Sequence, residues 1–170
     1  MRAKARLFGH PIHQMLIVFP LGLLATAVIF DVIALITNSG RWADISFWLI
    51  AAGIIGGLAA ALFGLIDWTG IPGDTRAKRI GLLHGVGNVI VVVLFAGSWL
   101  LRRDNPAVPE TLALALSFAG AALALVTGWL GGELVDRLGV GVDEGANVNA
   151  PSSLSGRPAA DVAHTRMARP

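Results

Sequence analysis

The chain has 170 residues, 55% of them hydrophobic and 14% charged, with a mean hydropathy of +0.70. A soluble domain carries about 25% charge, so this composition excludes a disordered chain, a nucleic-acid binder and an ordinary cytosolic enzyme. The absence of Cys removes disulfides, thiolate-held clusters, thioether-attached haem and thiol catalysis, and a formal charge of +2 does not make a basic domain.

The N-terminal arm carries Arg2, Lys4 and Arg6. Together with Ala25-Thr26-Ala27 this imitates a signal peptide and its cleavage site. The apolar stretch runs on to Ile36, however, and reads as an uncleaved first span. Four apolar runs follow one another, at residues 15–36, 45–66, 80–101 and 112–132. Each is long enough to cross a bilayer as a tilted helix, for which about 20 residues are needed. Barrel strands would be about half as long and would alternate polar with apolar.

The connections are short. Asn38-Ser39-Gly40 marks the first turn, Gly70-Ile71-Pro72-Gly73 stops the second helix, and Asn105-Pro106 with Pro109 and Glu110 leads into the fourth. Short links force antiparallel neighbours, so the expected fold is all-α: an integral membrane four-helix bundle, up-down-up-down, over residues 1–137. Residues 138–170 are rich in Gly, Ala, Ser, Asn and Pro and read as a flexible, disordered polar tail in which His164 is solvated.

Counting Lys and Arg in short loops gives seven on the face of the N-terminal arm: Arg2, Lys4, Arg6, Arg76, Lys78, Arg79 and Arg137. The opposite face has three, Arg41, Arg102 and Arg103. The positive-inside rule therefore puts both termini in the cytoplasm. Trp42, Trp48 and Trp99 then fall near the outer interface, and Trp68 and Trp129 near the inner one.

Ionisable side chains inside spans are costly and point to function. His10 and His13 open the first span, Asp31 lies near its far end, Asp67 closes the second, His84 and Asn88 start the third, and Glu133 and Asp136 close the fourth. Alternation of the spans brings His10, His13, Asp67, His84 and Glu133 to one level, with Asp31 at the other. At 100° per residue, Gly53, Gly57, Ala60, Gly64 and Asp67 share one stripe. Gly81, His84, Gly85 and Asn88 share another, and Ser117, Ala121, Ala124 and Gly128 a third. Glu133 falls off that third stripe. His13 and Asp31 are separated by five whole helical turns and share a face unless Pro20 bends the helix. A parallel repeat is also faintly visible: His13 leads to Asp67 as His84 leads to Glu133.

The segment His10-Pro11-Ile12-His13-Gln14-Met15-Leu16-Ile17-Val18-Phe19-Pro20 resembles the opening of a bacterial membrane-protein family catalogued as domain of unknown function 2231. Phe30-Asp31, Gly64-Leu65-Ile66-Asp67-Trp68 and Leu83-His84-Gly85 are similar to that family's pattern, over about residues 8–135. Gln14 stands where the family often has a second Pro. The resemblance implies a four-span bacterial inner-membrane protein and assigns no activity.

Three functional readings stay open. His13 and His84, on different helices at one depth, could ligate a b-type haem, with Arg76, Lys78 and Arg79 near its propionates. With Asp67, and His10 as an extra ligand, they could instead hold a transition metal. Bland uses of the same groups are a helix-start hydrogen bond for His13 and a buried His84–Asp67 hydrogen bond. Second, Asp31 and the histidines could be stations for a proton or small ion. Third, the polar groups could only fix helix register in a membrane subunit or scaffold, alone, as a homo-oligomer or with a membrane partner. An enzyme is not indicated: no serine triad, HExxH motif or phosphate loop is visible.

Overall fold

The computed structural model describes residues 1–161. A two-residue hairpin comes first, β1 (Arg6–Leu7) paired antiparallel with β2 (His10–Pro11). Its turn uses positive φ at Phe8 and Gly9. Then follow α1 (Ile12–Leu16), α2 (Val18–Thr37), α3 (Gly40–Gly70), α4 (Arg76–Leu101) and α5 (Thr111–Gly132). A π-helical turn (Glu133–Arg137) extends α5, and a 3₁₀ turn (Ser153–Ser155) lies further on.

Four helical stretches are long and apolar enough to cross a membrane: Ile12–Thr37, Gly40–Gly70, Arg76–Leu101 and Thr111–Arg137. They coincide with the four expected runs, each extended by a few residues. The first is interrupted at Ile17, whose backbone is still right-handed helical. Pro20 has no N–H to offer the Leu16 carbonyl four residues earlier, which accounts for the gap. Asn38, left-handed at φ 52°, ends α2 and leaves only two residues before α3. Thr75 opens α4 by accepting the Lys78 N–H at 3.1 Å.

The helices are antiparallel. α2 packs most extensively on α3 and α4 on α5; the α3–α4 contact is smaller and the α2–α5 contact smaller still. The two first helices of these pairs, α2 and α4, therefore face each other across the bundle axis. Leu24, Ala27, Ile50, Val91 and Phe95 form the buried centre. Large apolar side chains elsewhere, such as Ile36, Ile55 and Leu125, point outward, as a lipid-facing belt requires.

The two pairs repeat one another. Gly53 of α3 admits Leu24 of α2, since a Cβ there would lie 2.6 Å from it. Gly120 of α5 admits Phe95 of α4 in the same way, at 2.9 Å. Leu24 precedes Phe95 by the same sequence interval as Asp31 precedes Arg102. The interval from Gly53 to Gly120 is shorter by about one helical turn.

From the sequence, the chain after Leu138 is expected to be flexible. At residues 139–143 and at Ser153 it is instead bonded to the N-terminal arm. Gly141 N–H donates to Met1 O at 2.9 Å, Arg2 Nε to Asp143 at 2.9 Å, and Ser153 Oγ to Phe8 O at 3.1 Å. Arg6 also reaches Asp143, at 3.1 Å. These contacts are backbone and charged, so an apolar count does not reveal them. The rest of the expected tail, with His164, lies outside the described residues.

Candidate functional site

Two polar centres lie at opposite ends of the bundle. The first pairs His13 of α1 with His84 of α4, ring centroids 6.3 Å apart and planes at 89°. Each ring is held by the second helix of its own pair. His13 Nδ1 is 2.8 Å from Ala60 O, and His84 Nδ1 is 2.9 Å from Thr127 O. A carbonyl only accepts, so Nδ1 carries the proton in both rings. In the neutral imidazole this leaves the Nε2 lone pair free.

One turn beyond each carbonyl stands a glycine that makes room for the ring. A Cβ on Gly64 would lie 2.9 Å from the His13 imidazole, and one on Gly131 would lie 3.1 Å from that of His84. Ala60 is offset from Thr127, and Gly64 from Gly131, by the interval that separates Gly53 from Gly120. His13 is likewise offset from His84 as Leu24 is from Phe95. The imidazole pair thus lies across the axis that relates the two halves.

His84 has further support. Asn88 Nδ2 donates to His84 O at 2.9 Å and sits 3.2 and 3.4 Å from the two ring nitrogens. Near-equal separations place the amide over the ring face. Thr127 Oγ1 completes the cluster, 3.1 Å from both Asn88 Oδ1 and Ala124 O, between which its one proton is shared.

The other expected residues of this level go elsewhere. Asp67 accepts the Ala5 N–H at 2.9 Å, anchoring the N-terminal arm. Pro11 keeps His10 in the hairpin, where its Nε2 lies 3.3 Å from Ser153 Oγ. Glu133 pairs with Arg76 at 2.6 Å. Lys78 donates to Trp68 O at 2.8 Å and lies 3.7 Å above that indole. Among the described residues no three His, Cys, Asp or Glu side chains group to hold a metal ion. The repeat is also redrawn: Gly64 and Gly131 are equivalent, but Asp67 corresponds to Leu134, not to Glu133.

The second centre is absent from the sequence-based expectations. Arg102, counted there as an outer-loop cation, is fully buried at the C-terminus of α4 and bound to Asp31 of α2. Nη1 and Nη2 each reach one carboxylate oxygen at 2.7 Å. Nη1 also donates to Ser46 Oγ at 3.3 Å, Nη2 to Ser117 Oγ at 2.9 Å, and Nε to Ser98 Oγ at 3.1 Å. All five guanidinium N–H groups therefore have acceptors. The acceptors come from α2, α3, α4 and α5, so one node ties the four long helices together. Asp31 is thereby committed to a partner, and its role differs from that of a solvent-reached ion station. The sequence does hold a signal: His84 to Arg102 covers the same five turns as His13 to Asp31.

Fold and sites define a four-span helical membrane protein with a diagonal ionisable pair at each end of its core. The chain belongs to the family described as "Predicted membrane protein (DUF2231)", whose model matches residues 9–144. A search of the curated proteins gave no match, and neither did one of the solved structures.

Proposed function

We propose that the protein is a membrane module that binds a transition metal, as a bare ion or as the iron of a b-type haem, through His13 and His84, in support of electron transfer. The observation that carries this reading is the shared fixing of Nδ1 by a backbone carbonyl. That bond selects the ligating tautomer and is the usual outer-shell partner of a metal-bound imidazole. The ring separation also fits. Two metal–nitrogen bonds of about 2.0 Å plus the two ring radii span roughly the distance between these centroids. A porphyrin would supply four donors itself and need only two imidazoles. A bare ion would complete its shell with water or with donors recruited on binding, for which Asp67 and His10 would have to leave Ala5 and Ser153. Arg79, free of ion pairs among the described residues, is the cation left for a propionate.

The reading includes a place in the cell: the bacterial inner membrane with both termini cytoplasmic. Burial of Arg102 supports it by removing one of the three cations that opposed that orientation. Reporter fusions at the two ends test the orientation.

Absorption spectroscopy and metal analysis of the purified full-length protein, produced with haem and metals available, test the function. A Soret band lost in His13→Ala and His84→Ala identifies haem, and stoichiometric metal without that band identifies an ion. Neither signal in the wild type overturns the proposal in favour of a membrane subunit or scaffold.

A further inference from the structure

We propose that the two imidazoles are unequal ligands: His84 is the fixed one, positioned by Asn88 and Thr127, and His13 is the exchangeable one. This rests on the metal-binding reading above and names how the site would work.

The halves repeat so closely that their differences are informative. Where the second half has Asn88, the first has Ile17; where it has Thr127, the first has Ala60. The cluster that clamps His84 therefore has no counterpart around His13. Thr127, buried, uses its carbonyl on His84 Nδ1 and sets its hydroxyl 3.1 Å from Asn88 Oδ1 and from Ala124 O, while the Asn88 amide covers the ring and bonds the His84 carbonyl. Ring and amide are thus packed together on one side and the ring is bonded to Thr127 on the other. Gly87 permits it, because a Cβ there would lie 2.5 Å from the Thr127 methyl. The first half has Leu16 at that place.

The backbones differ in the same sense. His84 sits in the third turn of an unbroken helix of 26 residues. His13 sits in the first turn of its span, in α1, just ahead of the one step at which Pro20 offers the Leu16 carbonyl no N–H, the backbone staying helical through Ile17. Its ring has one hydrogen bond, to Ala60 O, and no side-chain hydrogen bond among the described residues. A ligand in the first turn of a span, ahead of a missing backbone bond, can swing away at less cost than one packed against Asn88 and Thr127 in the third turn of an unbroken helix. An exchangeable His13 would leave a coordination position for a small exogenous donor.

The full-length protein in detergent would be titrated with hemin and, separately, with Cu²⁺. His84→Ala should lose binding of the active probe by at least about 100-fold, and His13→Ala by about 10-fold or less, by analogy with ligand and outer-shell effects on metal affinity. Added imidazole should restore the wild-type spectrum of His13→Ala but not of His84→Ala. Asn88→Ala and Thr127→Val should weaken binding about 10–100-fold, with Thr127→Ser close to wild type. The metal-free protein gives a second readout: ¹⁵N-histidine NMR should show slower exchange of the His84 Nδ1–H than of the His13 one. Equal loss in the two histidine variants, or wild-type binding by Asn88→Ala and Thr127→Val, overturns the inequality and leaves metal binding intact. Absence of any binding by the wild type overturns the metal reading itself. Equal ring exchange in the metal-free protein overturns the asymmetry whatever the probes show.

Discussion

Asp31 and Arg102 occupy the same place in the two halves of the chain and bind one another. The sequence interval between them equals that between His13 and His84, and each follows its histidine by five whole helical turns. At about 1.5 Å per residue the two centres are separated by about 27 Å, close to the hydrocarbon thickness of about 30 Å. Each end of the apolar core thus carries one diagonal contact between α4 and the first span, through His13 of α1 at one end and Asp31 of α2 at the other. One contact joins like rings and the other joins opposite charges. A carboxylate or guanidinium on its own at that depth would be costly; paired, and with every N–H satisfied, the two hold the halves in register.

Removing one partner should be severe. Arg102→Met or Asp31→Leu strands a buried charge and is expected to cost about 3–5 kcal/mol, whereas the double variant should cost much less than the sum. Unfolding in mixed micelles, arranged as a double-mutant cycle, measures this. Single variants as stable as wild type would remove the node from the stability argument.

The charge swap Asp31→Arg with Arg102→Asp is a sharper case. Equivalent positions should let the pair re-form, so the swap should be more stable than either single exchange. It should not regain wild-type stability. Arg102 Nε uses Ser98, one turn earlier on α4, and the equivalent place on α2 is Ala27, which offers no oxygen. Full recovery in the same unfolding assay would mean that the Ser98 bond contributes nothing.

Much of this fold is legible in the sequence, and for a clear reason. In lipid a span must be a long apolar helix, so four runs and short links leave few architectures. The shared level of His13 and His84 follows from alternation and depth; that the two rings face one another, at 6.3 Å, does not. Arg102 escapes that logic because it stands one residue beyond the end of an apolar run and counts as a loop cation. Its guanidinium turns inward because Asp31 and three serines on neighbouring turns and helices offer acceptors, and no single-helix pattern shows that. Asp67 escapes for the opposite reason. It lies at the expected level, but the hairpin at Arg6–Pro11 brings the Ala5 N–H to it, and two-residue strands leave no periodicity to read.

The glycines beside the imidazoles should be selective. Gly64→Ala would press a methyl into the His13 ring at 2.9 Å and break its bond to Ala60 O, at an overpacking cost of about 1–3 kcal/mol. Gly131→Ala, at 3.1 Å from His84, should be milder. Gly128→Ala meets nothing within 4 Å and should be neutral or slightly stabilising in mid-helix. Thermal unfolding and histidine ring NMR of the three variants check the order.

Contact between the N-terminal arm and the chain after Leu138 should depend on pH through Asp143. Burial pushes its carboxyl up, but hydrogen bonds from Arg2 and Arg6, with their charges, outweigh this and hold it below the ordinary carboxylate value. A carboxylate depressed in the folded state contributes stability above its unfolded value, near about 3.9, and loses it as pH falls through the folded value. The contact should therefore be intact at neutral pH and should open in acid below about pH 4. Asp143→Asn should loosen it already at neutral pH and remove the acid transition. Amide exchange at Gly141, whose N–H reaches Met1 O at 2.9 Å, follows the contact directly. If that exchange responds equally to acid in the variant and in the wild type, Asp143 is not the group that holds the two segments together.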